Sequence, residues 1–256
     1  MAIDFSKMRE KLHKLQNKGA GNNNFWKPQD GDQTIRIVPT ADGDPFKEYW
    51  FHYNVGKNAG FLCPKKNHGK DCPVCDFAWH IMGEAKQNND AETLKLSKSL
   101  LPRQRFFSPV LVRGEEDKGV RVWGYGKLAY ENLIQLVLNP DYGDITDTET
   151  GTDLVLNYGK PPGASFPQTK LQPRRRTSPL TEGADDTKTQ EMLDSIPEFK
   201  DLFEVKETSE IETMLDGFLS GQDTNPEENS SETTRYKSTS NEATDVDAAF
   251  KELLAK

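Results

Sequence analysis

Cysteine is scarce in this sequence: three residues in 256, all inside "GFLCPKKNHGKDCPVC" at positions 60–75. An odd set of three cannot pair off into disulfides, and it is one short of a tetrahedral metal site. Long apolar runs are missing too. No stretch approaches the ~20 residues that a transmembrane helix needs. The opening "MAIDFSKMREKLHKLQ" has no apolar h-region of the signal-peptide kind. These absences lead us to expect a soluble, cytoplasmic protein without membrane partners, whose thiols stay reduced and whose clustered cysteines act as metal ligands. Hydrophobic residues make up only 34% of the chain and charged residues 29%. The core is therefore modest, and some segment is expected not to pack at all. Enzyme signatures are lacking as well: there is no Walker lysine loop, serine elbow or paired-carboxylate motif, and no repeat at solenoid periods.

The charge that is present is unevenly shared. Residues 1–176 hold 26 Lys and Arg against 21 Asp and Glu, a net of +5, whereas residues 177–256 hold 7 against 20, a net of −13. A mildly basic body on an acidic tail points to a polyanionic partner and to an internal competitor for it.

The pattern along the chain is strand-rich. Residues 4–18 place Phe5, Met8, Leu12 and Leu15 at helical spacing among six Lys, Arg or His, and "GAGNNN" then breaks the pattern. This reads as a basic arm over about 1–20. "QTIRIVP" alternates, and "EYWFHYNV" is aromatic and β-branched, as strands are. Residues 74–86 read as a helix, 105–126 as a long hairpin, 127–139 as an amphipathic helix and 153–160 as another strand. "QPRRRTSP" reads as a loop, and helical patterns recur over 187–219. The expected class is mainly β with inserted helices (α+β), a small barrel over 21–219 with a metal subdomain at about 50–86. Residues 220–247 are polar and acidic and are expected to stay disordered. The last ten gather Ala248, Phe250, Leu253 and Leu254 on one side of a short partner-docking helix.

Cys63, Cys72 and Cys75 need a fourth ligand if they hold zinc, and two histidines compete. His68 lies between the cysteines. His52 lies upstream in a strand that would pair with "GFLCP" across the turn 56–59, so that His52 and Cys63 stand directly opposed. The hairpin geometry favours His52. Zinc deaminases add a His-x-Glu whose Glu moves protons. Here His52 is followed by Tyr53 and Asn54, and His68 by Gly69 and Lys70. The site reads as structural. A zinc-dependent nucleic-acid enzyme and a zinc-module adaptor for other proteins are the competing classes.

Binding single strands without reading sequence takes cations for phosphates and flat rings for bases. Residues 103–130 interleave them: Arg103, Arg105, Phe106, Phe107, Arg113, Arg121, Trp123, Tyr125 and Lys127. Strand alternation suggests Arg105 with Phe107, and Arg121 with Trp123 and Tyr125, lining one groove. Arg174, Arg175 and Arg176 would clamp phosphates from a loop.

This order of parts resembles the T-even-type phage single-stranded DNA-binding proteins of the replisome, most specifically in "FHYNVGKNAGFLC" and "HGKDCPVC". The resemblance implies an OB-fold with a zinc subdomain and His52 as the fourth ligand to one structural zinc ion. It also implies stacking roles for Trp123 and Phe166. It further implies cooperative self-association through the N-terminal arm. The acidic tail would dock replication, recombination and repair proteins (polymerase, helicase loader, primase, recombinase) and shield the groove when DNA is absent.

Overall fold

The computed structural model describes residues 25–53, 55 and 60–221. The expected basic arm over 1–20, the expected turn at 56–59 and the expected acidic tail with its docking helix beyond residue 221 lie outside the described residues. Within them the architecture is α+β, as expected. The strands are β1 (Phe25–Trp26), β2 (Gly31–Ile37), β3 (Lys47–His52), β4 (Phe61–Leu62), β5 (Arg103–Val112), β6 (Arg121–Tyr125), β7 (Thr152–Gly159) and β8 (Gln168–Thr177). The helices are α1 (Pro64–His68), α2 (Pro73–Asn88), α3 (Ala91–Leu100), α4 (Lys127–Leu138), α5 (Asp186–Asp194) and α6 (Thr208–Leu219). The chain divides into two compact units, 25–49 with 104–202 and 50–103 with 203–221.

The first unit is built on a sheet in the order β1-β6-β5-β2-β7-β8. The β1–β6 pair is parallel, and β6–β5, β5–β2, β2–β7 and β7–β8 are antiparallel. Alternation decides which side chains enter the core. Ile35 and Ile37 of β2, Val110 and Val112 of β5, and Leu154 and Leu156 of β7 join one buried cluster with Trp26, Phe106, Trp123 and Tyr125. Helix α4 closes that cluster with Ala129 and Leu133, and its Tyr130 ring stacks on Phe106 at 3.9 Å and 6°. Burying each such aromatic or branched side chain contributes about 1.5–3 kcal/mol.

The opposite face of the sheet buries Val38, Leu111, Val120 and Leu180 against Met192, Leu193 and Ile196. Beside them lies a fully buried Arg36. Its Nε donates to Asp153 at 2.9 Å, and its Nη2 donates to the carbonyl and hydroxyl oxygens of Ser178. Arg113 adds bonds from Nε and Nη2 to the same carboxylate at 3.0–3.2 Å. Burial first of all, and the neighbouring Arg113, pull the Arg36 pKa down, while Asp153 opposes them. Two guanidinium groups on one carboxylate form a structural knot, and Arg113 belongs to it.

β8 is a strand where the sequence reads as a loop. Leu171 and Pro173 face the core opposite Leu156 and Leu154, and the strand ends the pairing order. An edge position tolerates proline because one row of its backbone groups needs no partner.

The second unit packs Val55, Phe61, Val74, Ala78, Ile81 and Leu100 with Ile211 and Leu215 of α6 around the three cysteines. It is wider than 50–86. Helix α3, unmarked in the sequence reading, starts at an Asp90 cap whose carboxylate accepts from the backbone of Glu92 and Thr93, a standard N-cap arrangement.

Candidate metal centre and nucleic-acid interface

Three local signals bring the cysteines together. Cys63 caps α1, its sulfur accepting from the Lys66 backbone N–H at 3.4 Å, with Pro64 at the first helical position. Gly69 then ends α1 in a left-handed conformation (φ 66°) that returns the chain, a conformation glycine adopts without steric strain. Cys72 caps α2 with Pro73 behind it, and Cys75 follows in the first turn. Helix N-termini favour thiolates, because unpaired N–H groups and the helix dipole stabilise negative charge there.

His52 completes the set. The ligand atoms of His52, Cys63, Cys72 and Cys75 all lie within 4.8 Å of one another, and all four residues are buried. The Cys63 and Cys75 sulfurs are 3.5 Å apart, and His52 Nε2 is 3.3 Å from the Cys72 sulfur and 3.5 Å from that of Cys75. A tetrahedral zinc–thiolate site with ~2.3 Å bonds would put sulfurs about 3.8 Å apart, so the donors are already at ligation distance. His52 Nδ1 sits 2.8 Å from the Leu100 carbonyl oxygen. A proton on Nδ1 donated there leaves the Nε2 lone pair for an ion, the usual outer-shell arrangement for a ligating histidine. Burial would depress the His52 pKa, but the Cys63 and Cys72 sulfurs outweigh it and raise it to about 9. Hydrogen bonding from Cys72, then from Cys75, holds Cys63 well below the ordinary thiol range, while the same pairing pushes Cys75 up. Such a crowd of soft donors can hold one metal ion. His68 is exposed and takes no part in it.

The hairpin register differs from expectation. His52 pairs with Phe61 and Phe51 with Leu62, and Cys63 donates its N–H to the Trp50 carbonyl at 2.8 Å. His52 and Cys63 are therefore diagonal neighbours, not directly opposed. The offset is two residues, so both stay on one face and can still share one ion.

The basic aromatic segment is rearranged more deeply. Phe106 pairs with Tyr125, Ser108 with Trp123 and Val110 with Arg121. Tyr125 and Trp123 therefore share a face with Phe106, and Arg105 with Phe107 lies on the other, so the expected common groove does not form. Phe106, Trp123 and Tyr125 are core, each 3% exposed or less. The Tyr125 hydroxyl and Ser108 hydroxyl bond at 2.7 Å, and burial drives the phenol pKa up. Arg121 is tied to Glu115 at 2.5 Å, and Lys127 to Glu131 at 3.5 Å. The interleaving of rings and cations in sequence thus splits into a core face and a surface face.

The surface face carries a ring cluster that sequence reasoning missed. Phe107 meets Phe25 of β1 edge-on at 6.2 Å and Tyr49 of β3 at 6.0 Å. Gly124, directly opposite Phe107, supplies the seat: a Cβ there would stand 2.8 Å from the Phe107 ring. Phe107 is 7% exposed and forms the floor, while Phe25 and Tyr49 are half-buried. Arg105 shares this face by alternation and is half-buried, and Arg103 is exposed at the strand's first residue. No local pattern marks Phe25 or Tyr49, because three separate strands bring the rings together.

Arg174, Arg175 and Arg176 lie exposed on β8, not in a loop, and Phe166 is 45% exposed in the connection between β7 and β8. Among the described residues no helix is long and apolar enough to cross a membrane. No curated protein matches the chain. Residues 29–219, spanning both units, match the family described as gp32 DNA binding protein like. The chain therefore belongs to the gp32-like DNA-binding proteins, the single-stranded-DNA-binding family that its sequence resembles.

Proposed function

We propose that this protein coats single-stranded DNA without reading its sequence, in the replication, recombination and repair of a viral genome within the host cytoplasm. The observation that carries this reading is the joining, on one sheet face, of Arg105 with the Phe25–Phe107–Tyr49 rings. Cations neutralise phosphates and rings accept stacked bases, and neither needs a particular base. Arg103, Arg174, Arg175 and Arg176 add phosphate contacts, and Phe166 a further ring. Phe106, Arg121, Trp123, Tyr125 and Lys127 then support that surface from the core or through ion pairs.

The ion is zinc, one per chain, held by His52, Cys63, Cys72 and Cys75; three thiolates and an imidazole are its preferred structural set. It stabilises the second unit and does no chemistry on DNA. The arm over 1–20 drives self-association along the strand. The acidic tail recruits polymerase, helicase loader, primase and recombinase, and competes with DNA for the basic face. The charge division of the sequence, +5 against −13, supports that competition.

The test is fluorescence anisotropy of labelled oligo(dT) titrated with the full chain across a salt series. Binding at low salt that weakens steeply as salt rises is expected; no anisotropy change at low salt overturns the reading. Tryptophan quenching is the poorer probe, because Trp26 and Trp123 are buried.

A further inference from the structure

The basic residues of the first unit fall into two groups. Arg36 and Arg113 share Asp153, Arg121 pairs with Glu115, and Lys127 with Glu131. Lys170, Arg174, Arg175 and Arg176 have no carboxylate partner among the described residues, and all four are exposed along β8. Lys170 and Gln172 pair with Asn157 and Val155, so they project from the face opposite Leu171 and Pro173.

The ladder then slips. Pro173 pairs with Leu154 but Thr177 with Thr152, so four steps of β8 oppose two of β7. In unbroken alternation Arg175 would follow Leu171 and Pro173 toward the core. The bulge instead leaves all three arginines exposed, and re-aiming side chains in this way is what bulges do. The Arg174 Nη2 donates to Thr34 Oγ1 at 3.1 Å, which holds its head over β2. Below Lys170 a groove of about 400 Å³ is lined by Asp30, Asn157, Tyr158 and Lys160 among others. Asp32 beside it accepts from Asn157 at 2.6 Å. These carboxylates end the cationic run.

We infer that the outward face of β8, from Lys170 to Arg176, is a second contact track for single-stranded nucleic acid, gripping the phosphodiester backbone and reading no base. It rests on the single-strand-binding reading and extends it. Like charges crowded along one strand, with no ion pair to a described carboxylate, repel one another, and a polyanion relieves all four together. Lys170, Gln172 and Arg174 follow one another on that face at about 6.8 Å steps, and the bulge adds Arg175 and Arg176, which sets cations along the path of an extended chain. The outward neighbours Thr34, Val155, Asn157 and Gln172 present no ring, so bases gain no stacking here. The track is separate from the Phe107 face, because Leu111, between Phe107 and Arg113 on β5, is buried under Leu180 and its neighbours. Protection of the sheet edge is already served by Pro173 and the bulge.

The experiment compares the full wild-type chain with the triple variant Arg174→Gln, Arg175→Gln, Arg176→Gln by oligo(dT) anisotropy over a salt series. Thermal melting and metal content are followed in parallel. The slope of log K against log salt should fall in magnitude by about 2, at ~0.7 per lost phosphate contact. Melting temperature should stay unchanged. Lys170→Gln alone should reduce the slope by about 0.7 and guards against a folding defect in the triple variant. A folded triple variant that matches the wild-type slope, or one that only aggregates more, overturns the β8 track while leaving single-strand binding intact. Failure of the wild type itself to bind at low salt overturns the underlying reading as well.

Discussion

The two units are held together by different chemistry. The first has a large apolar cluster on one sheet face and a smaller one on the other, with Arg36, Arg113 and Asp153 bonded together in the interior. The second has a smaller apolar set, and His52, Cys63, Cys72 and Cys75 sit inside it. A unit of about that size buries a smaller share of its surface and is marginal, so an ion bound at its centre would add to its stability. The larger unit has apolar surface to spare and can bury charge, provided each charge is met. With an ion bound, stability would be concentrated at one centre in the second unit and distributed in the first, where Lys170, Arg174, Arg175 and Arg176 have no carboxylate partner among the described residues.

The largest effect expected from that contrast is on the metal. Cys72→Ser, or chelation, should remove binding energy on the order of 10 kcal/mol from the second unit. Hydrogen exchange should then show protection lost over 60–100 and retained in β2, β5 and β7; uniform loss would show the two units to be one cooperative body. Next in size is Asp153→Asn, which leaves the buried Arg36 and the half-buried Arg113 without their carboxylate. It should destabilise the first unit by about 3–5 kcal/mol, read by denaturant melting, with one metal per chain still bound. A loss below 1 kcal/mol would show the knot to be dispensable.

Smaller effects separate core rings from surface rings. Tyr49→Ala and Phe25→Ala should each weaken oligo(dT) binding by about 1–3 kcal/mol. Trp123→Phe should lower the melting temperature and leave affinity nearly unchanged. The reverse pattern would return the stacking role to the face that holds Trp123. Smallest is Arg105→Gln, expected to reduce the salt slope by about 0.7. Arg113→Gln should instead cost stability with no change of slope.

Much of this was legible in advance because it is local. Helices α2 and α4, the β5–β6 hairpin and β7 carry their periodicity in consecutive residues, and the cysteine spacing announces a shared ion. His52 was legible because any even offset of the hairpin keeps it on the face of Cys63. The β5–β6 face assignment was not. Alternation says that Trp123 and Tyr125 agree with each other, but only the register says whether they agree with Phe106 or Phe107. β8 was unreadable for a related reason: a strand with Pro173 and three arginines has no apolar alternation of its own. It is a strand because Leu154 and Leu156 lie beside it.

The sequence by itself determined the cysteine cluster, the α+β class, the family and the division of charge, since each depends on composition or on neighbours a few positions apart. Only the tertiary structure decided which cations are spent on carboxylates and which stay open, and which rings are floor, core or surface. Those outcomes hang on pairings between residues tens of positions apart. There a shift of one residue in a β ladder exchanges inside for outside.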